Sequence, residues 1–359
     1  MIKYTSKFFH LLKYSLLFIL ILCALSILIL TVFFKAYKDP WGKRVSNSGY
    51  ISKNALINKV NFSYVEGPDN GYPLVLLHAQ HMDWFSYSRV LPELSKHFHI
   101  FDIDYPGHGT TTYPNNYLMN ASQIGNDLGD FIKRIIGEPA FITGNSSGGL
   151  LTAWLAAYRP EAVKAILLED PPLFSAEYPR IKQTIAYRSF TTCYKFVEDN
   201  ESDFLIYWIR SNSKFFDNNV FKGSSNILIN AVYYYRFLNP HIPVEIGLIP
   251  NDTIRLFLRG LDQYDAKFGA AFYDGTWNKG FNHTEALSRI RRPVLLLHAN
   301  FKILNDGTLD GAMSNDDANN AISLLSNGRY LRIDALHVVH LDKPDSFIKI
   351  LEDFFLQIR

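Results

Sequence analysis

The stretch Ala140-Phe141-Ile142-Thr143-Gly144-Asn145-Ser146-Ser147-Gly148 decides the fold. An apolar run ends in a Gly-x-Ser-x-Gly turn, and a helix-forming run, Leu150 to Ala157, follows at once. The spacing has a mechanical reading. A serine at the tip of a sharp strand-to-helix turn sits in strained backbone, with its hydroxyl pushed out above the sheet. The residues two before and two after it press against neighbouring backbone, where glycine fits best. A Gly/Ser-rich turn without chemistry carries the same five residues. The strand before and the helix after distinguish the two cases.

Similar units lie on both sides. Val60 to Val65 reads as a strand, and Gly67-Pro68-Asp69-Asn70-Gly71 as a turn. Pro73-Leu74-Val75-Leu76-Leu77-His78 is a continuous apolar run, the mark of a strand buried on both faces. A helical segment over Trp84 to His97, a strand at His99 to Asp104 and the loop Tyr105 to Thr110 come next. Over Asn120 to Ile136, Ile124, Leu128, Phe131, Ile132 and Ile135 share one helical face. Ala165 to Asp170 reads as a strand stopped by Pro171-Pro172; Pro293 to His298 and Tyr330 to Ile333 are later strands, and Pro344 to Leu356 a closing helix. Alternating strands and helices predict a mostly parallel sheet covered on both faces, an α/β fold. Between Leu173 and Arg292 the alternation stops, and aromatic residues crowd a segment read as a helical insertion.

With 359 residues and 48% hydrophobic content, the chain can bury a sizeable core. Its 36 basic and 34 acidic residues leave a net charge of +2 with no basic stripe, which argues against a nucleic-acid partner. Two cysteines far apart, Cys23 and Cys193, do not suggest a disulfide. The histidines lack the spaced ligand pairs of a zinc site, so neither a metal nor a cofactor is expected.

Leu16 to Phe34 carries no charge and is about the ~20 residues needed to cross a bilayer. A signal peptide has a shorter apolar region and a small-residue cleavage site; Thr31-Val32-Phe33-Phe34-Lys35 offers none. The reading is an uncleaved single-pass anchor. Basic residues flank both ends, with Lys3, Lys7 and Lys13 before it and Lys35, Lys38, Lys43 and Arg44 after it. The short N-terminal tail favours an extracytoplasmic domain. The expected organisation is a tail and anchor over 1–34, a linker over 35–57, a core over 58–172 and 293–359, and a helical cap over 173–292.

Taken together, the motifs resemble those of the α/β-hydrolase family, from about Asn61 to the end. The elbow at Ser146 is one. His78-Ala79-Gln80 stands for the family's H-G-x, Asp104-Tyr105-Pro106-Gly107-His108-Gly109 for D-x-x-G-H-G, and Leu336-His337-Val338-Val339-His340 through Pro344 for G-H-x-x-H-x-x-x-P. Ala79 and Leu336 replace the usual glycines. The resemblance implies Ser146 as nucleophile and His337 as its base, since a serine hydroxyl needs one at neutral pH. His340 reads as a supporting or core histidine. The acid that orients the base usually follows the strand Val294 to Leu297, and spacing back from the helix Ala318 to Leu325 selects Asp310. Asp306 and the pair Glu169-Asp170 are the rivals. That helix carries its own start signal, Ser314 with Asp317 three residues on. The amides of Ser147 and Gln80 are the expected oxyanion donors.

A serine at the elbow argues against the epoxide hydrolases and haloalkane dehalogenases of the family, which use aspartate there. The aromatic cap points to a lipophilic ester as small-molecule substrate. A C–C bond hydrolase or an acyltransferase could use the same residues. A non-catalytic binding protein on this fold is the alternative of a different class.

Overall fold

The apolar runs pair into one eight-stranded sheet. The computed structural model describes residues 2–219 and 221–358. The strands are β1 (Ile51–Ile57), β2 (Val60–Glu66), β3 (Tyr72–Leu77), β4 (Phe98–Asp104), β5 (Ala140–Asn145), β6 (Val163–Glu169) and β7 (Val294–His298). Two short strands, β8 (Lys302–Ile303) and β9 (Leu309–Asp310), form a separate hairpin, and β10 (Gly328–Arg332) closes the main sheet. The sheet order is β1-β2-β4-β3-β5-β6-β7-β10. Only β1/β2 and β2/β4 are antiparallel; the rest of the sheet is parallel.

Both faces are covered, which is why the central strands are apolar throughout. On β3, Val75 and Leu77 join the core under the helices Ala121–Phe131 and Ser147–Tyr158, with Phe62, Phe131 and Leu151. Leu74 and Leu76 face the other way, into a core with Phe98, Phe141, Phe347 and Phe355. Each such side chain contributes roughly 1.5–3 kcal/mol by leaving water. The segment expected to be one helix over Trp84 to His97 is a 3₁₀ turn at Trp84–Arg89 and a short helix at Leu91–Leu94, with Pro92 in its first turn. The start signal at Ser314 is a full capping box, opening the helix Asn315–Leu324.

Residues 35–57 are not the linker that the sequence suggested. Asp39 caps the helix Pro40–Asn47 by accepting the Trp41 amide at 3.0 Å. It also accepts Arg89 at 2.9 Å and Arg255 at 3.3 Å. Burial opposes the Asp39 charge, but the Trp41 amide and the two arginines hold its carboxyl below the usual range. Residues 51–57 then form the edge strand β1. Only Ala55 and Ile57 of β1 point inward, so hydrophobic alternation could not reveal it.

Between Glu177 and Arg292 no strand of the main sheet occurs among the described residues. Helices fill the interval, chief among them Tyr187–Glu198, Phe204–Ser211, Ser224–Leu238, Asp252–Asp262 and Ala266–Asp274. At the other end of the chain, the helix Ile2–Ala36 is exposed from Leu12 to Leu30. Its uncharged part from Leu16 to Phe34 is roughly 28 Å long at 1.5 Å per residue.

Candidate active site

Ser146 sits between β5 and the helix Ser147–Tyr158, with φ 55° and ψ −118°. This is a costly conformation for a residue with a side chain. Its amide donates to the Glu169 carbonyl at 3.1 Å, and its carbonyl accepts the Leu150 amide. The flanking glycines are sterically required. A Cβ on Gly148 would come to 2.1 Å from the Leu77 carbonyl oxygen, and one on Gly144 to 2.3 Å from that of Gly148. The motif therefore lets the helix close onto β3 and β5 while the serine is thrust outward.

Ser146 and His337 line one cavity of about 200 Å³. His337 is half-buried, on the loop after β10. Its Nδ1 lies 2.7 Å from Asp170 Oδ2. Asp170 is fixed in turn: its amide donates to the Leu297 carbonyl at 2.8 Å, and its Oδ1 accepts the Ala299 amide at 3.0 Å. Burial works against protonation of His337, but the hydrogen bond to Asp170 and the charges of Asp170 and Glu169 outweigh it and raise its pKa above the ordinary 6.5. Asn145 ties the loops together through its side-chain amide, which donates to the His337 carbonyl at 2.9 Å and the Glu169 carbonyl at 3.1 Å.

Asp310 is not the partner of His337. It belongs to β9, paired with Lys302 in the hairpin, and contributes to the cavity wall. Spacing back from the helix after the loop selected it, without knowledge of how that loop folds. The loop instead folds into the hairpin β8–β9, which holds Asp310 in its own pairing on the cavity wall. Asp306 is exposed at the hairpin tip, where its carboxylate accepts the Thr308 amide. The residue that meets His337 is Asp170, directly after β6, at the seam where β6 lies beside β7. The signal for it was Glu169-Asp170 against the stop Pro171-Pro172.

A second pair lies behind the first. His340 Nδ1 is 2.9 Å from both Glu169 carboxylate oxygens, and the His340 amide donates to Glu169 Oε1 at 3.0 Å. The His340 ring stacks on Tyr87 at 3.9 Å. The expected oxyanion donors also reach the cavity. Ser147 opens its helix, so its amide has no acceptor within that helix. Its hydroxyl and that of Tyr105 are 2.9 Å apart. Gln80 lines the same cavity, with its side-chain nitrogen 3.1 Å from His81 Nε2. Among the described residues no cluster of three or more histidine, cysteine or acidic side chains is placed to hold a metal ion. Cys23 and Cys193 are both free.

The remaining cavity wall is mostly apolar and comes largely from the start of the insertion: Ile181, Ile185, Ala186 and Phe190, with Phe272 farther on. A hydroxyl and an imidazole that share such a cavity, the imidazole held by a buried carboxylate, can generate an oxygen nucleophile and return its proton to a leaving group.

Comparison with known proteins agrees with this geometry. A family model for the alpha/beta hydrolase fold matches residues 72–344, more than half of the chain. The (E)-2-((N-methylformamido)methylene)succinate hydrolase of Acinetobacter baylyi is 29% identical over 118 residues, 32% of this chain and 43% of that protein. The pimeloyl-[acyl-carrier protein] methyl ester esterase of Vibrio campbellii is 30% identical over 118 residues, 33% of this chain and 42% of that protein. The chain thus spans less than half the length of either relative. Among solved structures, a bacterial membrane phospholipase A superposes with a TM-score of 0.58 at 17% identity, over 97% of this chain and 99% of that one.

Proposed function

The chain belongs to the α/β hydrolase fold family, and from that premise we propose that it is a membrane-anchored serine hydrolase acting on an ester with a compact apolar group. The observation that carries the reading is the 2.7 Å bond between His337 and Asp170, on the wall of the cavity that also holds the strained Ser146.

In this reading His337 Nε2 accepts the Ser146 proton as the serine oxygen attacks the ester carbonyl. The carbonyl π pair moves onto oxygen, and the amides of Ser147 and Gln80 hold the resulting oxyanion. As the oxyanion collapses, the carbon–oxygen bond to the alcohol breaks and His337 gives its proton to the leaving alkoxide. Water repeats the sequence on the acyl-serine and releases the acid. Asp170 keeps Nδ1 of His337 protonated, which leaves Nε2 free to act, and stabilises the imidazolium.

Cavity size limits the substrate. A 150 Å³ apolar cavity holds about a benzene ring, so the volume of about 200 Å³ here suits an acyl or alkyl group only a little larger. The esterase and the phospholipase among the similar proteins fit an ester substrate, whereas the succinate hydrolase keeps other hydrolytic chemistry open. A long acyl chain would need the insertion, acting as a cap, to move. The anchor reading rests on the helix Ile2–Ala36, whose apolar surface from Leu12 to Leu30 stands exposed.

The test is fluorophosphonate labelling of the full-length protein in detergent beside Ser146→Ala, followed by p-nitrophenyl esters of increasing chain length. Labelling that disappears in S146A, with turnover greatest for short to medium acyl groups, is expected. A folded protein that takes no label overturns the proposal and favours a binding role.

A further inference from the structure

The N-terminal helix meets the folded domain through its last turns, and it meets the insertion. Phe34 is buried, with its ring 6.0 Å from those of Tyr234 and Tyr235. Its carbonyl accepts the Asn239 side-chain amide at 3.2 Å. The Thr31 and Tyr234 hydroxyls share a short hydrogen bond. Tyr37 lies over Gly247, where even a Cβ would come to 2.4 Å from the tyrosine ring. These partners belong to the helix Ser224–Leu238 and the loop that follows it.

The contacts step in the same sense along both helices, from Thr31 with Tyr234 to Phe34 with Asn239. The first turns of Ser224–Leu238 therefore lead back toward the exposed apolar part of the N-terminal helix. Ile227 is exposed and shares a helical face with Tyr234, two turns back at i, i+7. Tyr233 and Phe237, spaced i, i+4, are exposed as well, Phe237 to 79%. Leu248 stands exposed beside Gly247, and Phe221 just before the helix. Lys214 and Lys222 are exposed on the approach to it. Single exposed apolar residues are ordinary on any protein. Here Tyr233, Phe237 and Leu248 stand within one turn or one residue of the residues that touch the end of the apolar helix, and Ile227 lies two turns farther along the same face.

We propose that this rim is a second membrane contact, seated in the interfacial layer of the same bilayer that the N-terminal helix spans. The inference rests on the anchor reading of that helix. Its chemistry is that of an interfacial surface: aromatic and aliphatic side chains enter the headgroup–acyl boundary. The cavity wall and the lipid contact then belong to one insertion.

The experiment uses the full-length chain in nanodiscs of zwitterionic and anionic lipid, with an environment-sensitive fluorophore on single cysteines. Native Cys23, exposed in the middle of the N-terminal helix, reports on the anchor itself. Cys193 is buried, and burial pushes its thiol pKa up, so it stays unlabelled. In a Cys23→Ser background, Ile227→Cys and Phe237→Cys probe the rim. Glu138→Cys, exposed just before β5 at the opposite end of the sheet, is the aqueous control. Labels at 23, 227 and 237 should lose most of their emission to lipid-borne nitroxide and little to iodide, with the reverse at 138. Lipid quenching at 23 alone, with 227 and 237 behaving like 138, overturns the rim and leaves the anchor standing. A label at 23 that behaves like 138 overturns both. Labels at 227 and 237 that are shielded from both quenchers but self-quench between chains would assign the rim to a second copy of the protein and overturn the lipid contact.

Discussion

Two histidine–carboxylate pairs stand side by side in this protein and have opposite surroundings. Glu169 and Asp170 are consecutive, and His337 and His340 are three residues apart, so one strand end and one loop supply both pairs. His337 has 40% of its side chain exposed and opens on the cavity, while Asp170 behind it is 1% exposed. His340 and Glu169 are fully buried, and Tyr87 closes one face of the histidine ring. Access differs more than the bonding does. On the proposed function, the same pair of groups serves as a base where substrate arrives and as a brace where nothing can reach it.

The strongest way to break this comparison is to remove each histidine. His337→Ala, like Ser146→Ala, is expected to lower turnover by about 10⁶-fold and to leave thermal unfolding nearly unchanged, as followed by ester hydrolysis and calorimetry. Asp170→Asn should lower kcat by about 10⁴-fold, whereas Asp310→Asn, on the cavity wall, should change it less than about tenfold. Equal losses at the two aspartates would remove Asp170 from its role. His340→Ala is expected to act on stability instead. It leaves Glu169 buried without its partner, at a cost of about 3–5 kcal/mol, measured by urea unfolding. A variant that unfolds normally yet has lost turnover would make the second pair catalytic after all.

A finer test uses pH. Because the pKa of His337 lies above 6.5, the imidazole gains a proton as pH falls through that raised value and can no longer accept one from serine. The acidic limb of kcat/KM should therefore lie above 6.5. In Asp170→Asn the residual activity should show the limb moved to lower pH, because burial still disfavours the charged ring and the main opposing influence is gone. A limb that stays in place would mean that another group controls it.

The elbow, the buried runs of β3 and β7 and the position of His337 were legible because each is written in consecutive residues. The acid was not. Its choice depends on which strand end lies beside the histidine loop, a matter of sheet order, and the hairpin β8–β9 has no hydrophobic signature that announces the detour. Glu169-Asp170 was visible as a rival because some members of the family carry the acid after the strand that follows the elbow, and these two acids end that strand. Likewise β1 escaped notice: four of its first residues, Ile51 to Asn54, face solvent at the sheet edge, and an edge strand needs little apolar patterning.

The helix Pro40–Asn47 and its arginine-bound cap have a consequence for reach. A slack tether of about 20 residues would let a domain wander some 25 Å from its attachment and search a volume of solution. Here Asp39, clasped by Arg89 and Arg255, and the strand that follows allow no such leash. With the N-terminal helix in a bilayer, the cavity stands at one set height above the lipid. On the proposed anchoring and activity, the substrates it meets are those that come to that height, and its encounters are those of a two-dimensional surface.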